Sequence, residues 1–191
     1  MRAEFSALRD ALGAGERAAI DARVTRAVLA SEAFAAARSV FTYLSVGAEV
    51  DTRALVERAW EAGKVVAAPR CVPGTRELAW HRIDDFTTLV TGAFGIEEPL
   101  NDPATLVVPD ESSVALVPAF SFDADGFRLG YGGGFYDAFL ASFPGTSIGL
   151  CRACQLSTEP LPREPHDVAV NFVVTDAEAV AGTPVASAGG Q

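Results

Sequence analysis

Apolar positions in the first third of the chain follow two spacings, one typical of a helix and one typical of a strand. Over residues 14–34, apolar side chains recur every three or four positions and predict an amphipathic helix. Its apolar stripe consists of Ile20, Val24, Val28 and Leu29. The alternating and β-branched sequence SVFTYLS then predicts a strand over residues 39–45.

A second helix is marked at both of its ends. Asp51 or Thr52 supplies the N-cap, and Gly63 marks the end of the apolar pattern. The apolar sequence KVVAAP at 64–69 then predicts a short strand. A strand, a helix and a strand joined by short connections are typical of a parallel βαβ unit.

The rest of the chain predicts more strands and one further helix. Strands are expected at ELAWHRI (77–83), VALVPAF (114–120), TSIGL (146–150) and NFVVT (171–175), and a helix at FYDAFLASF (135–143). VALVPAF is apolar without interruption, as in a central strand that is buried on both faces. These patterns predict an α/β fold, a single three-layer domain over residues 1–176 with a mostly parallel sheet and helices on both faces. Residues 177–191 are expected to form a flexible Ala/Gly-rich tail.

Composition and charge exclude several classes of protein. The chain has 191 residues and a net charge of −10, which opposes binding to a nucleic-acid backbone. It has no apolar run near the ~18 residues of a membrane span, and its N-terminus lacks the apolar stretch of a secretory signal. We therefore expect a cytoplasmic monomer without nucleic-acid or membrane partners. Lys64 is the only lysine, so side-chain contacts to a phosphate fall to arginines.

A C-x-x-C motif occurs once, as CRAC at 151–154. A redox pair would be expected at a helix N-terminus, and a zinc site needs four ligands. The surrounding sequence predicts instead a strand that runs into a loop, and His81 and His166 are distant in sequence. We therefore interpret Cys151 and Cys154 as small buried residues.

The sequence RLGYGGGFYDAFL at 128–140 holds four glycines within five positions, directly before a predicted helix. A glycine-rich loop that leads into a helix is a phosphate-binding arrangement, and Arg128 would add a cation. The loop does not match Walker A, because Phe135 stands where that motif has a lysine after its last glycine. It does not match G-x-G-x-x-G counted from Gly130 either, because Phe135 stands at the last glycine position. A tight turn built for packing remains an alternative. Asp137, in the first turn of the helix, suits either the helix dipole or Mg²⁺.

One segment of the chain, VPAFSFDADGFRLGYGGGFYD, resembles the signature of the 5-formyltetrahydrofolate cyclo-ligase family, also called methenyltetrahydrofolate synthetases. Three further blocks are similar, in order and at family-like spacing over about residues 2–176: YLSVGAEVDTRALVERAWEAGKVVAAPR, FGIEEP and LPREPHDVAVNFVVT. The resemblance implies an ATP- and Mg²⁺-dependent conversion of 5-formyltetrahydrofolate to 5,10-methenyltetrahydrofolate, with release of ADP and phosphate. In the family's reaction, ATP phosphorylates the formyl oxygen, N10 attacks the activated carbon, and phosphate leaves.

The resemblance also assigns candidate residues to each ligand, with Arg128 and Asp137 as the catalytic pair. For ATP it implies Arg2, Arg128, Gly130, Gly132, Gly133, Gly134, Phe135, Tyr136 and Asp137. For the folate it implies Glu49, Phe94, Ile96, Glu98 and Tyr136. For Mg²⁺ it implies Asp137, with Asp167 as a further candidate. Core packing by Phe94 and Tyr136, and a solvated Glu49, remain alternatives.

Three positions depart from the family pattern. Arg2 falls on a phosphate-binding Arg, but the Lys that usually precedes it would lie upstream of Met1. Asn171 stands where many members have Asp, and Ala138 replaces a frequent Arg. The N-terminal departure leaves open a non-catalytic folate- or nucleotide-binding relative. A different ATP-using enzyme on the same scaffold is a third hypothesis, against which the folate-side residue Glu49 argues.

Overall fold

The computed structural model of the protein describes residues 1–92 and 95–177, and the backbone of residues 179–181. The α-helices are α1 (Arg2–Ala11), α2 (Ala14–Leu29), α3 (Glu32–Ala36), α4 (Arg53–Glu61) and α5 (Phe135–Leu140). The strands are β1 (Ser39–Thr42), β2 (Val65–Cys71), β3 (Leu78–Arg82), β4 (Val90–Thr91), β5 (Glu97–Glu98), β6 (Ser113–Pro118), β7 (Ser121–Phe122), β8 (Arg128–Leu129), β9 (Thr146–Leu150), β10 (Phe172–Val174) and β11 (Ala179–Ala181). None of the helices in this described part has the length and apolar character needed to cross a membrane.

Seven strands form one sheet in the order β11-β10-β9-β6-β1-β2-β3. The strands from β10 to β2 are parallel to one another, whereas β3 and β11 add antiparallel pairs at the two edges. The mostly parallel sheet predicted from the sequence is therefore confirmed, including the parallel pairing of β1 and β2 around α4. β6 lies at the centre and all of its residues are buried, in agreement with its uninterrupted apolar sequence.

Helices cover both faces of the sheet, as predicted. On one face, α2, α3 and α4 pack side chains such as Val24, Phe34 and Leu55 against the strands. The register aligns Val40 of β1 with Val66 of β2 and Val114 of β6, and all three belong to this core. On the other face, Phe41, Ala115 and Val117 of the sheet pack with Leu140 of α5 and Phe122 of the β7–β8 hairpin. The fold is thus a three-layer α/β arrangement.

Some boundaries differ from the predictions for physical reasons. The chain leaves the sheet after Thr42 rather than Ser45, because the Tyr43 carbonyl accepts a hydrogen bond from the Thr52 hydroxyl at 2.7 Å. The sequence pattern does not predict α1, none of whose residues is buried. The predicted tail begins with an edge strand, β11, which pairs with β10. Residues 182–191 lie outside the described part of the chain, so the flexible tail stays a prediction there.

Gly145, directly before β9, lies where the backbones of β6 and β9 leave no room for a side chain. A Cβ atom there would lie 2.1 Å from the backbone oxygen of Ser113 on the neighbouring strand β6. We expect Gly145→Ala to lower the free energy of unfolding by about 1–3 kcal/mol in a urea titration, because the backbones of β6 and β9 must separate. Gly15→Ala in α2 is the control, since no atom lies within 4 Å of its Cβ position. Equal stability of the two variants would contradict the packing assigned to β9.

Candidate active site

The carboxyl ends of the parallel strands lie along one edge of the sheet, and they carry the segments with candidate chemistry. The segment after β1 carries Glu49, the chain after β6 leads through the β7–β8 hairpin into the glycine-rich loop, and Arg152 follows β9. In open α/β sheets, ligands bind in the crevice outside these strand ends. The topology therefore brings together residues that are far apart in sequence.

The glycine-rich loop, residues 130–134, connects β8 to α5. Gly132 and Gly134 have φ values of 92° and 70°, which L side chains rarely adopt, so the backbone conformation itself requires glycine there. Helix α1 lies against this loop. The Nε atom of Arg2 donates to the Gly130 carbonyl at 2.7 Å, and Arg9 donates to the Tyr131 hydroxyl at 3.2 Å. The structure thus brings Arg2 to the glycine-rich loop, and its contact with ATP stays a prediction.

Arg128 and Asp137 form an ion pair at the base of the loop. Their Nη2 and Oδ1 atoms are 2.5 Å apart, and Arg128 also donates to the Val168 carbonyl at 2.7 Å. The Val168 amide donates to the same Oδ1 of Asp137 at 3.2 Å. Burial lowers the pKa of Arg128, and the Asp137 carboxylate opposes that shift. Only 5% of the Arg128 side chain is exposed. From this buried position, Arg128 holds the Asp137 carboxylate and the Val168 carbonyl in place.

The Asp137 carboxylate keeps one oxygen available. Both of its hydrogen bonds end on Oδ1, and no donor among the described residues reaches Oδ2. Asp167 adjoins Val168 in the same segment, and its own Oδ2 accepts from the Glu164 amide at 2.8 Å. The described residues contain no cluster of three or more His, Cys, Asp or Glu side chains that could hold a metal ion. One or two carboxylates remain compatible with Mg²⁺, which prefers waters and phosphate oxygens as its other ligands.

Glu49 faces the glycine-rich loop. The Tyr131 hydroxyl donates to its Oε1 atom at 2.5 Å, and the Val46 amide donates to its Oε2 atom at 2.8 Å. Burial nevertheless raises the pKa of Glu49 above its ordinary value, because the two hydrogen bonds offset only part of the desolvation. Burial, followed by the Glu49 charge, raises the pKa of Tyr131 to about 12. The structure therefore excludes the alternative of a freely solvated Glu49.

Tyr136 has a ring in the core and a hydroxyl without a partner. The ring packs on the core beside Phe139, at 6.5 Å between ring centroids. The hydroxyl is shielded from solvent and finds no hydrogen-bond partner in the part of the chain described here. Burial and the Glu49 charge raise its pKa well above the ordinary value. A buried hydroxyl of this kind costs about 1–3 kcal/mol unless a partner arrives.

In the FGIEEP block, residues 94–99, the carboxylate of Glu98 lies in the protein interior. Glu98 is buried, its Oε2 lies 3.4 Å from Nη1 of Arg70, and its Oε1 accepts from the Cys71 amide at 3.3 Å. Ile96 is partly buried on the loop that precedes β5. Phe94 lies outside the described residues, so its contact with a folate stays a prediction.

Two cations near the glycine-rich loop are missing from the sequence-based assignment. Arg9 was detectable in principle, because it lies seven positions after Arg2 and therefore on the same face of a helix. Arg76, on the β2–β3 loop, has its Cδ and Nη1 atoms 3.5 Å from the position that a Cβ on Gly134 would occupy. No local pattern around Arg76 indicates that contact.

One sequence-based interpretation needs correction, and one departure from the family pattern has a structural role. Cys151 is buried but Cys154 is exposed, and both are free thiols, so only half of the interpretation as buried residues is right. Asn171 uses its Oδ1 atom to accept from the amide and hydroxyl of Ser147, at 2.7 and 2.9 Å. That amide side chain holds the start of β9 and is not free to bind a metal ion.

A cleft of about 450 Å³ lies next to Glu49, between α2 and the segment that connects β1 to α4. Its lining includes Arg17, Asp21, Asp51 and Arg152, and none of residues 128–137. The glycine-rich loop therefore lies outside this cleft, and Glu49 borders both regions.

Known proteins resemble this chain along most of its length. The sequence matches the model of the 5-formyltetrahydrofolate cyclo-ligase family over residues 1–176. The 5-formyltetrahydrofolate cyclo-ligase of Escherichia coli strain K12 is 35% identical over 143 residues, which cover 73% of this chain and 78% of that protein. For that of Haemophilus influenzae, the identity is 32% over 172 residues, with coverages of 88% and 91%. The NMR structure of Aquifex aeolicus 5,10-methenyltetrahydrofolate synthetase superposes with a TM-score of 0.82 at 27% identity, covering 100% of this chain and 95% of that one. The chain therefore belongs to the 5-formyltetrahydrofolate cyclo-ligase family of enzymes.

Proposed function

We propose that this chain converts 5-formyltetrahydrofolate to 5,10-methenyltetrahydrofolate in a reaction that requires ATP and Mg²⁺ and releases ADP and phosphate. The observation that carries the proposal is the 2.5 Å hydrogen bond between Tyr131 and Glu49. It joins the glycine-rich loop, the candidate phosphate site, to the carboxylate that is the candidate folate ligand. A phosphoryl transfer between two substrates requires their sites to be adjacent in this way.

The chemistry explains why a phosphoryl group is needed. Amide resonance makes the formyl carbon a poor electrophile, so its oxygen has to become a leaving group before N10 attacks. Phosphoryl transfer depends mainly on positioning and on stabilisation of charge. The backbone amides of residues 132–134 and the guanidinium of Arg2 are the groups that would hold the transferred phosphate. Arg128, which the sequence resemblance assigns to the ATP phosphates, instead donates to Asp137 and Val168 from a buried position, so we propose that it supports the phosphate site by orienting Asp137.

Asp137 and Asp167 are the residues that would hold Mg²⁺. The free Oδ2 of Asp137 suits a direct or water-mediated contact, and Oδ1 remains fixed by Arg128 and the Val168 amide. The ion would supply neutralisation of charge on the phosphate oxygens. The buried guanidinium of Arg128 holds the Asp137 carboxylate in one orientation.

The folate would lie on the Glu49 side of the loop. A carboxylate at this position can accept hydrogen bonds from ring N–H groups of the pterin. The unpartnered Tyr136 hydroxyl lies close enough to Glu49 for the Glu49 charge to contribute to its raised pKa. A substrate atom that bonds to this hydroxyl would remove the cost of leaving it buried and unpaired. Ile96 and Glu98 are further candidates for the folate side, and Phe94 remains one on the sequence resemblance alone.

The proposal is tested with the purified chain, MgATP and 5-formyltetrahydrofolate, following the near-ultraviolet absorbance of the methenyl product. Turnover is expected, and it should stop when ATP is omitted or when EDTA removes the metal. Binding of both ligands by calorimetry without product formation would favour the non-catalytic relative instead. Product formation from ATP and another acceptor only would favour a different ATP-using enzyme.

Arg2 provides a separate test of the phosphate side. We expect Arg2→Ala to raise the KM for ATP about tenfold, because it removes a charged hydrogen-bond donor beside the glycine-rich loop. The KM for 5-formyltetrahydrofolate should change little, since Arg2 contacts Gly130 rather than Glu49. Arg58→Ala is the matched control, an exposed arginine of α4 that pairs with Glu61. If Arg2→Ala leaves the KM for ATP at the control value, α1 does not take part in ATP binding.

A further inference from the structure

Arg152, the arginine of the CRAC segment, is buried almost completely at the carboxyl end of β9. Only 1% of its side chain is exposed. A guanidinium in such a place is costly unless each donor finds an acceptor. Its partners therefore show what the residue holds in place.

Those partners lie on α2 and on the segment that carries Glu49. Nε and Nη2 of Arg152 donate to the two carboxylate oxygens of Asp21, both at 2.9 Å. Nη1 donates to the Ala48 carbonyl at 2.8 Å, and Nη2 donates to the Glu49 carbonyl at 3.1 Å. Asp21 in turn accepts from the Asp51 amide at 3.2 Å. The pair thus fixes the backbone on both sides of the Glu49 side chain.

We propose that Arg152 and Asp21 act as a positioning pair, which holds the Glu49 peptide so that its carboxylate meets the folate. The inference rests on the proposed function for the identity of that ligand. Neither Arg152 nor Asp21 bonds to the Glu49 carboxylate itself, which is held by Tyr131 and the Val46 amide. Their effect on the substrate is therefore transmitted through the backbone of residues 48–51.

A plain stability role is the competing explanation, because buried ion pairs are often replaceable by apolar residues without loss of fold. The two roles differ in what they predict for the substrates. A stability role affects the amount of folded protein and leaves the kinetic constants of the folded fraction unchanged. A positioning role raises the KM for 5-formyltetrahydrofolate selectively, because a small displacement of a binding group is costly.

Two variants separate these roles. Arg152→Lys keeps a cation beside Asp21, but the three donors on its single nitrogen cannot replace the four hydrogen bonds that Arg152 makes from three nitrogens. The double variant Arg152→Met with Asp21→Leu removes both charges together, so that neither stays buried and unpaired if the lysine variant fails to fold. Arg23→Met is the matched control. Arg23 pairs with Asp176, which contacts the Ala153 amide, and it makes no hydrogen bond to residues 46–51.

For each folded variant we expect the KM for 5-formyltetrahydrofolate to rise about tenfold or more, with the KM for ATP within about twofold of the parent value. In a Glu49→Gln background the same changes should have little further effect, because the carboxylate they position is absent. Unchanged folate KM in a folded variant, or equal effects with and without Glu49, would overturn the proposal.

A second readout does not depend on turnover. The ¹³C NMR signal of the Glu49 carboxyl group reports its pKa, which burial raises in the parent protein despite the hydrogen bond from Tyr131. Release of the Glu49 peptide should move that pKa back toward the ordinary value in the Arg152 variants but not in Arg23→Met. Absence of product with the parent protein would refute the proposed function, whereas an unmoved Glu49 pKa in the variants would refute the positioning pair.

Discussion

Asp137→Asn is expected to lower kcat of the cyclo-ligase reaction by about 10²–10³-fold at saturating substrates. Asparagine keeps an oxygen for the hydrogen bonds from Arg128 and the Val168 amide, although the buried Arg128 loses its counter-charge and the variant should be less stable. It loses the negative charge that would hold Mg²⁺ on the free side of the carboxylate. A helix-dipole role alone would be worth only about 0.3–1 kcal/mol of stability and would leave catalysis intact.

The measurement is kcat as a function of Mg²⁺ concentration, for the parent protein and the variant. Partial recovery at high Mg²⁺ is expected, because the remaining ligands still bind the ion weakly. Asp84→Asn serves as control, since Asp84 is an exposed aspartate that pairs with Arg82. Parent-like kcat in Asp137→Asn at limiting Mg²⁺ would show that Asp137 does not bind the metal.

Glu49→Gln is expected to lower kcat/KM for 5-formyltetrahydrofolate by about a hundredfold, since losing one partner of a buried, hydrogen-bonded charge costs about 2–5 kcal/mol. The KM for ATP should stay near the parent value, because Glu49 reaches the glycine-rich loop only through Tyr131. Glu61→Gln, on the surface of α4, is the control for loss of a carboxylate. Equal losses for both substrates would place Glu49 in the phosphate site instead.

Glu49→Gln should also change the stability of the protein in a pH-dependent way. Because this effect is measured without ligands, it reports on folding and not on binding. Burial raises the pKa of Glu49 in the folded protein above its unfolded value, so the ionised side chain opposes folding at neutral pH. We therefore expect Glu49→Gln to have a Tm equal to or above that of the parent at neutral pH. As pH falls through the raised pKa, the parent side chain becomes protonated and this advantage disappears. A Tm deficit that is greatest at neutral pH would contradict the direction of the pKa shift.

The layers of the fold were predictable because burial leaves a local pattern. The uninterrupted apolar sequence at 114–118 becomes the fully buried central strand, and the stripe that contains Val24 and Val28 packs against the sheet. The glycine-rich loop was predictable as a special backbone, which the positive φ values of Gly132 and Gly134 explain. In each case a few neighbouring residues carry the whole signal.

The contacts that connect the site were not predictable, because they join residues far apart in sequence. Arg9 meets Tyr131 across 122 positions, and Asp21 meets Arg152 across 131. In the sequence, the CRAC segment suggests candidate chemistry only for its two cysteines. In the structure it is Arg152, between those cysteines, that contacts the Glu49 segment. Side-chain pairing of this kind depends on the order of strands in the sheet, which local patterns do not contain.

Helix α1 has a consequence for how ATP affinity is set. None of its residues is buried, so it can separate from the rest of the protein without exposing the core. Its hydrogen bonds to the glycine-rich loop come from Arg2 and Arg9, and Arg9 also lies over the Phe120 ring, 5.0 Å from its centroid. If Arg2 binds the phosphate as proposed, the phosphate site would be complete only in molecules with α1 docked, and the measured affinity would be the intrinsic affinity reduced by that fraction. Any change that holds α1 in place would tighten ATP binding without touching the nucleotide.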